Sequence, residues 1–213
     1  MAARNDYIEV ILDRSAVVRS RFFDRHALRP LLEVELIEAL RLLEMQRNAM
    51  LMYTSCGWFF DEISGIETNQ ILQYALRAMQ FAQDVAGVTL EPMFEEMLAK
   101  APSNVHANGA VAYLTQVKSN SVRLADVGRH LSIASVFERF PKKMKIFNNE
   151  AIGECFDKVK IGGYTLVTGR FTITSTLTLY KKQFSFVVLY LGQHHLLGKL
   201  SENMDRTTFD TMQ

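Results

Sequence analysis

The spacing of apolar side chains changes near Pro141, and this change restricts the fold more than any other feature of the chain. Before it, apolar residues recur at three- and four-residue steps, the period of an amphipathic helix. After it, apolar and polar residues alternate, the period of a strand with one buried face. Because helical and β segments follow one another and do not interleave, we predict an α+β fold. A helical subdomain spans residues 1–140, and an antiparallel β subdomain spans residues 141–213.

The strongest helical pattern runs from Pro30 to Tyr53, since leucines and methionines recur on one face with glutamates and Arg41 between them. Proline suits the first position of a helix, and Gly87 suits the position just after one. Further helices are predicted over residues 16–26, 67–86, 91–100, 110–118 and 124–137.

The β pattern is clearest over residues 160–178, where Arg170 and a series of threonines alternate with apolar residues, predicting a strand with one polar face. Gly162 and Gly163 predict a hairpin turn into this strand. Residues 180–183 are predicted to turn the chain into an apolar strand, residues 184–191. From Ser201 the tail begins like a helix and then stops, so we expect a truncated tail in a domain that normally continues beyond Gln213.

The formal net charge of the 213 residues is +1, so no overall field favours nucleic acid or a membrane surface. No apolar stretch approaches the roughly 20 residues that cross a bilayer, and the N-terminus lacks a signal-peptide pattern. We therefore expect a soluble cytoplasmic protein with no nucleic-acid or membrane partner. Cys56 and Cys155 are interpreted as reduced thiols, with a disulfide as the alternative.

The common catalytic motifs for nucleotides, zinc and serine hydrolysis are missing. The adjacent His194 and His195 would point to opposite faces of a strand, so they are interpreted as surface or loop histidines. Cys56 has no identifiable partner histidine and is interpreted as a buried structural thiol. We predict no catalytic residue, no metal site and no cofactor in this chain.

Residues 54–67 form the one stretch that suggests a binding surface, because Trp58 and two phenylalanines lie beside Asp61 and Glu62. Aromatic rings stack on the apolar faces of sugars, and carboxylates accept hydrogen bonds from sugar hydroxyls. In the alternative interpretation, Trp58 and the next phenylalanine fill the space between two helices, and Glu67 stabilises a helix N-terminus. Residue types alone favour this alternative.

The run LEMQRNAMLMYTSCGWFFDEISGIE, residues 43–67, carries a family resemblance. Together with residues 70–75, 101–104, 132–138 and 184–192, it resembles a domain of unknown function. That domain follows the catalytic barrel in bacterial proteins similar to glycoside hydrolase family 57, the α-amylase and α-mannosidase-like group. The resemblance covers nearly the whole chain.

The resemblance implies an accessory domain of a retaining glycoside hydrolase that is not catalytic alone. The catalytic glutamate and aspartate would lie on the barrel of the parent protein, about 5 Å apart as retention requires. The helical region would pack on that barrel and help to shape a cleft for an α-glucan or another oligosaccharide. The resemblance also makes Trp58, Asp61 and Glu62 the candidates for sugar or barrel contact. A structural or protein-interaction domain without a sugar role is the competing expectation.

Overall fold

The computed structural model describes residues 2–202 and 204, and it confirms the predicted α+β fold. Helices come first along the chain and a five-stranded antiparallel sheet follows. The chain divides into two compact units, Met1–Ser121 and Val122–Gln213. The boundary between the units lies before Pro141, where the sequence pattern changes, because the last helix packs on the sheet and belongs to the second unit. Among the described residues, no helix is both long and apolar enough to cross a membrane.

The first unit is helical. Its elements are α1 (Ala2–Leu12), α2 (Ala16–His26), α3 (Glu33–Leu51), α4 (Cys56–Phe59), α5 (Ile66–Ala86), α6 (Glu91–Leu98) and α7 (Gly109–Ala112), followed directly by a π-helix (Tyr113–Lys118). The two longest helices, α3 and α5, pack on each other. A core cluster joins α5 to the π-helix through Leu72, Leu76, Tyr113 and Val117. This packing holds the segment between α3 and α5 at a fixed place on the unit.

The second unit consists of α8 (Leu124–Phe137) and the strands β1 (Lys143–Ile146), β2 (Asn149–Ile161), β3 (Tyr164–Ser175), β4 (Lys181–Tyr190) and β5 (Leu196–Glu202). Each strand pairs with the next along the chain, so the sheet is a meander. A register shift interrupts the β2–β3 pairing between Gly153 and Cys155. Helix α8 covers one face, where Leu131 packs with Phe171, Phe184 and their neighbours. These aromatic rings form the core of the unit.

Several boundaries differ from the prediction for local reasons. Helix α3 begins at Glu33 and not at Pro30, since the Glu35 carboxylate accepts a hydrogen bond from the Leu32 amide (2.8 Å) and fixes the helix start there. The predicted turn at residues 180–183 is wrong: the chain reverses after Ser175, with Leu179 at φ 60°, and residues 181–183 belong to β4. The hairpin turn at Gly162 and Gly163 is confirmed.

The prediction omitted α1, β1, β2 as a separate long strand, and β5. The predicted polar face of β3 is partly buried, because Arg170 is only 6% exposed and donates to the Ser185 hydroxyl (3.1 Å) and the Met204 carbonyl (3.0 Å). Ser201 belongs to β5 and not to a helix. The rest of the predicted tail, residue 203 and residues 205–213, lies outside the described residues.

Candidate functional site

The segment between α3 and α5 carries a group of aromatic side chains that point into solvent. Tyr53, Trp58, Phe59 and Phe60 are 76%, 77%, 78% and 53% exposed. We call residues 53–62 the aromatic loop. The interpretation in which Trp58 and Phe59 fill a gap between helices is therefore wrong. Exposed apolar side chains gathered in one short segment are typical of a binding surface.

The backbone of the aromatic loop is fixed even though its rings are exposed. A Cβ on Gly57 would lie 2.3 Å from Ile71 Cγ1, so only glycine allows α4 to approach α5 this closely. The Thr68 hydroxyl on α5 donates a hydrogen bond to the Gly57 carbonyl (3.1 Å). The Trp58 indole N–H donates to the Thr54 carbonyl (3.1 Å). The tryptophan ring is thus tied at its polar edge and leaves its faces to solvent.

The two predicted carboxylates occupy different environments. Asp61 is exposed, and within the described part of the chain its carboxylate has no hydrogen-bond or ion-pair partner. Glu62 is half-buried and accepts from the Ser103 hydroxyl (2.6 Å), the Asn104 amide (2.7 Å), and the Ser64 hydroxyl (2.8 Å) and amide (3.0 Å). Hydrogen bonds from Ser103, Asn104 and Ser64, given from the largest effect to the smallest, lower the pKa of Glu62 to about 2, because each donor favours the charged carboxylate.

Sequence reasoning did not identify the segment that meets Glu62. We call residues 101–108 the second loop. The Ser103 hydroxyl accepts from the amides of Val105 (3.2 Å) and His106 (3.0 Å), which curls this loop around the Glu62 carboxylate. The spacing of polar loop residues follows no period, so the sequence pattern could not predict the contact between this loop and Glu62. The one signal in the sequence was that residues 101–104 are among the segments that carry the family resemblance.

A buried polar cluster in the first unit was also not predicted. Glu44 on α3 is 2% exposed, and its carboxylate accepts from the Tyr7 hydroxyl (2.7 Å), Arg14 (2.7 Å) and Arg47 (3.3 Å). Burial, followed by the charge of Glu44, raises the pKa of Tyr7 above its usual value, so the hydroxyl stays a donor. The bonds from Tyr7 and Arg14 hold α1 and the segment after it on α3, and the bond from Arg47 lies within α3, which indicates a structural role.

The second unit contains a cavity of about 170 Å³ between α8 and the strands β4 and β5. Its lining is mostly aliphatic and includes Ile133, Val188, Leu196 and Leu200. The described residues that line it also include Arg129 and Lys199 and no carboxylate.

The remaining sequence candidates are two histidines in the second unit and Cys56 in the aromatic loop. His194 and His195 are exposed in the turn between β4 and β5, as predicted. The interpretation of Cys56 as a buried thiol is wrong, because Cys56 is exposed at the start of α4, and neither cysteine is in a disulfide. Among residues 2–202 and 204, no group of three histidine, cysteine, aspartate or glutamate side chains could hold a metal ion.

A family model described as a domain of unknown function (DUF3536) matches residues 1–213, the whole chain. No curated protein and no solved structure matches.

Proposed function

We propose that this chain, which belongs to the family described as a domain of unknown function (DUF3536), is an accessory domain of a glycan-active protein. In this proposal the aromatic loop contributes to a carbohydrate cleft, and the domain is not catalytic alone. The observation that carries the proposal is the exposure of the Trp58 ring together with that of the unpaired Asp61 carboxylate, three residues further along the same loop.

The chemistry of the loop suits a sugar ligand. Pyranose rings present C–H groups on one face, which pack on the face of an aromatic ring, and hydroxyls at the edge, which donate to a carboxylate. The Trp58 indole N–H is already bonded to Thr54, so hydrogen bonding to sugar hydroxyls falls to Asp61. Because the loop backbone is anchored on α5, little ordering entropy would oppose binding.

The parent protein in this proposal is a bacterial, cytoplasmic, retaining glycoside hydrolase similar to family 57. Its catalytic barrel is the partner of this domain and carries both catalytic carboxylates. The substrate is an α-glucan or another oligosaccharide. This part of the proposal rests on the sequence resemblance of residues 43–67.

A second function, a protein-interaction module without a sugar role, is favoured by one observation. The apolar surface extends past Trp58 to Phe59, Phe60 and Ile66, and Ile66 is 80% exposed although it has no stacking face. Aromatic residues are enriched in protein interfaces as well. The two functions differ in what the surface should bind when the chain is alone in solution.

Calorimetric titration of the 213-residue chain with a panel of neutral oligosaccharides, chosen by glycan array, separates the two. The sugar-contact function predicts measurable binding that Trp58→Ala weakens by at least about tenfold, which corresponds to 1.4 kcal/mol. Tyr164→Ala, at an exposed aromatic residue in β3, is the matched control and should bind as the unmodified chain does. Equal binding by both variants would contradict the proposal and leave the interaction module.

A further inference from the structure

Glu62 uses most of its acceptor capacity within the protein. An ionised carboxylate offers about four lone-pair positions, two on each oxygen. Glu62 Oε1 accepts from Ser103 and twice from Ser64, and Oε2 accepts from Asn104, which leaves one position on Oε2. Ser103 and Asn104 are 41 and 42 residues away along the chain. We call the bonds to Ser103 and Asn104 the Glu62 bridge, because they join the aromatic loop to the second loop.

A second connection runs parallel to the Glu62 bridge beneath the two loops. The Asn69 side-chain amide on α5 donates to the Ser64 carbonyl (3.1 Å) and to Gln116 Oε1 (2.9 Å). The Gln116 amide, in the π-helix, meets His106 Nε2 at 3.1 Å. π-Helical turns are often found at functional sites. This chain of contacts therefore links Ser64, two residues after Glu62, to His106, two residues after Asn104.

The second loop presents its own side chains at the surface beside this bridge. Asn104 is exposed, and its side-chain amide has no hydrogen-bond partner within the described residues, because only its backbone amide takes part in the Glu62 bridge. Val105 is 69% exposed. An unpaired amide has two donors and one acceptor, which complements adjacent hydroxyls of a neutral sugar.

We infer that the ligand surface of this domain is built from both loops, with Glu62 as a positioning residue that joins them and Asn104 as the polar ligand contact of the second loop. The inference rests on the proposed function and assigns its ligand as a neutral oligosaccharide read by Trp58, Asp61 and Asn104. Glu62 then acts on binding only through the placement of Asn104 and the aromatic loop.

Two variants separate contact from positioning. Asn104→Ala removes the side-chain amide but keeps the backbone N–H that bonds to Glu62. It should weaken binding of maltoheptaose, or of the panel glycan that binds best, by about 2- to 13-fold, as expected for one hydrogen bond. Hydrogen exchange of the second loop should stay unchanged. Glu62→Gln replaces an acceptor with a donor, so it should weaken glycan binding and also accelerate exchange at the amides of Ser64 and Asn104. Gln73→Ala, at an exposed residue of α5, is the control and should alter neither.

The outcomes remain distinct. If Trp58→Ala abolishes binding while Asn104→Ala binds like the unmodified chain, the proposed function stands and the contact role of Asn104 is overturned. If Glu62→Gln weakens binding without accelerating exchange in either loop, Glu62 contacts the ligand itself and its positioning role is overturned. If no glycan of the panel binds the unmodified chain, the proposed function and the contact role fall together. The exchange data alone then decide whether Glu62 joins the loops.

Discussion

Replacement of Glu44 by glutamine should destabilise the first unit by about 3 kcal/mol. The carboxylate is 2% exposed and accepts from Tyr7, Arg14 and Arg47, so the glutamine amide would face cationic donors. Removing one partner of a buried pair typically costs about 3–5 kcal/mol, because the other charge is left buried. The lower end applies here, since the side chains of Arg14 and Arg47 are 19% and 37% exposed and can turn towards water.

Urea denaturation followed by helical circular dichroism measures this effect mainly in the first unit, because every described helix except α8 belongs to that unit. For a urea slope of about 2 kcal/mol per M, the midpoint should fall by about 1.5 M. Glu38→Gln, at an exposed residue of the same helix, is the control and should stay within about 0.5 kcal/mol. Equal midpoints for the two variants would refute the assignment of Glu44 to a buried charged cluster.

Three further perturbations have defined outcomes. Because the pKa of Glu62 is lowered to about 2, its bridge contributes stability above about pH 4.5 that is lost as the pH falls through 2. Amide exchange itself depends on pH, so the quantity to measure is the protection of the Asn104 amide relative to an unprotected peptide at the same pH. Glu62→Gln should make this protection independent of pH in this window, and an unchanged profile would contradict the assignment. Gly57→Ala should cost about 1–3 kcal/mol by overpacking against Ile71, whereas Gly163→Ala meets no atom within 4 Å and should be neutral. Urea denaturation followed by far-ultraviolet circular dichroism measures both variants. Phe171→Ala, at a fully buried position under α8, should cost about 3–5 kcal/mol, measured by circular dichroism of the β signal, and a loss below 1 kcal/mol would contradict the described core.

The helices were the predictable part of this fold because their apolar spacing is local. Ala16–His26 and Leu124–Phe137 form helices with the predicted bounds. Strands were harder, since β2 has lysines and acids along much of its length and is stabilised by pairing with β3 rather than by alternation in its own sequence. Helix α1 was missed because its buried residues, Tyr7 and Val10, are too few to give a periodic signal.

The candidate site was predictable in composition and not in geometry. The clustering of Trp58, Asp61 and Glu62 is visible in the sequence, and the family resemblance singles out the same residues. Their different environments depend on Ser103 and Asn104, which are about 40 residues distant. No sequence pattern distinguishes a carboxylate that faces solvent from one that joins two loops, because both roles need the same residue type.

The most direct test of the central claim is the nuclear magnetic resonance signal of the Trp58 indole N–H, a single peak because the chain has one tryptophan. During titration with maltoheptaose or the best panel glycan, a ring that stacks on sugar should show a saturable shift of this peak. The affinity from that shift should agree with calorimetry and should be lower in Asn104→Ala. A Trp58 peak that stays in place while the glycan binds elsewhere, or while no glycan binds at tens of millimolar, would contradict the assignment of the aromatic loop to carbohydrate contact.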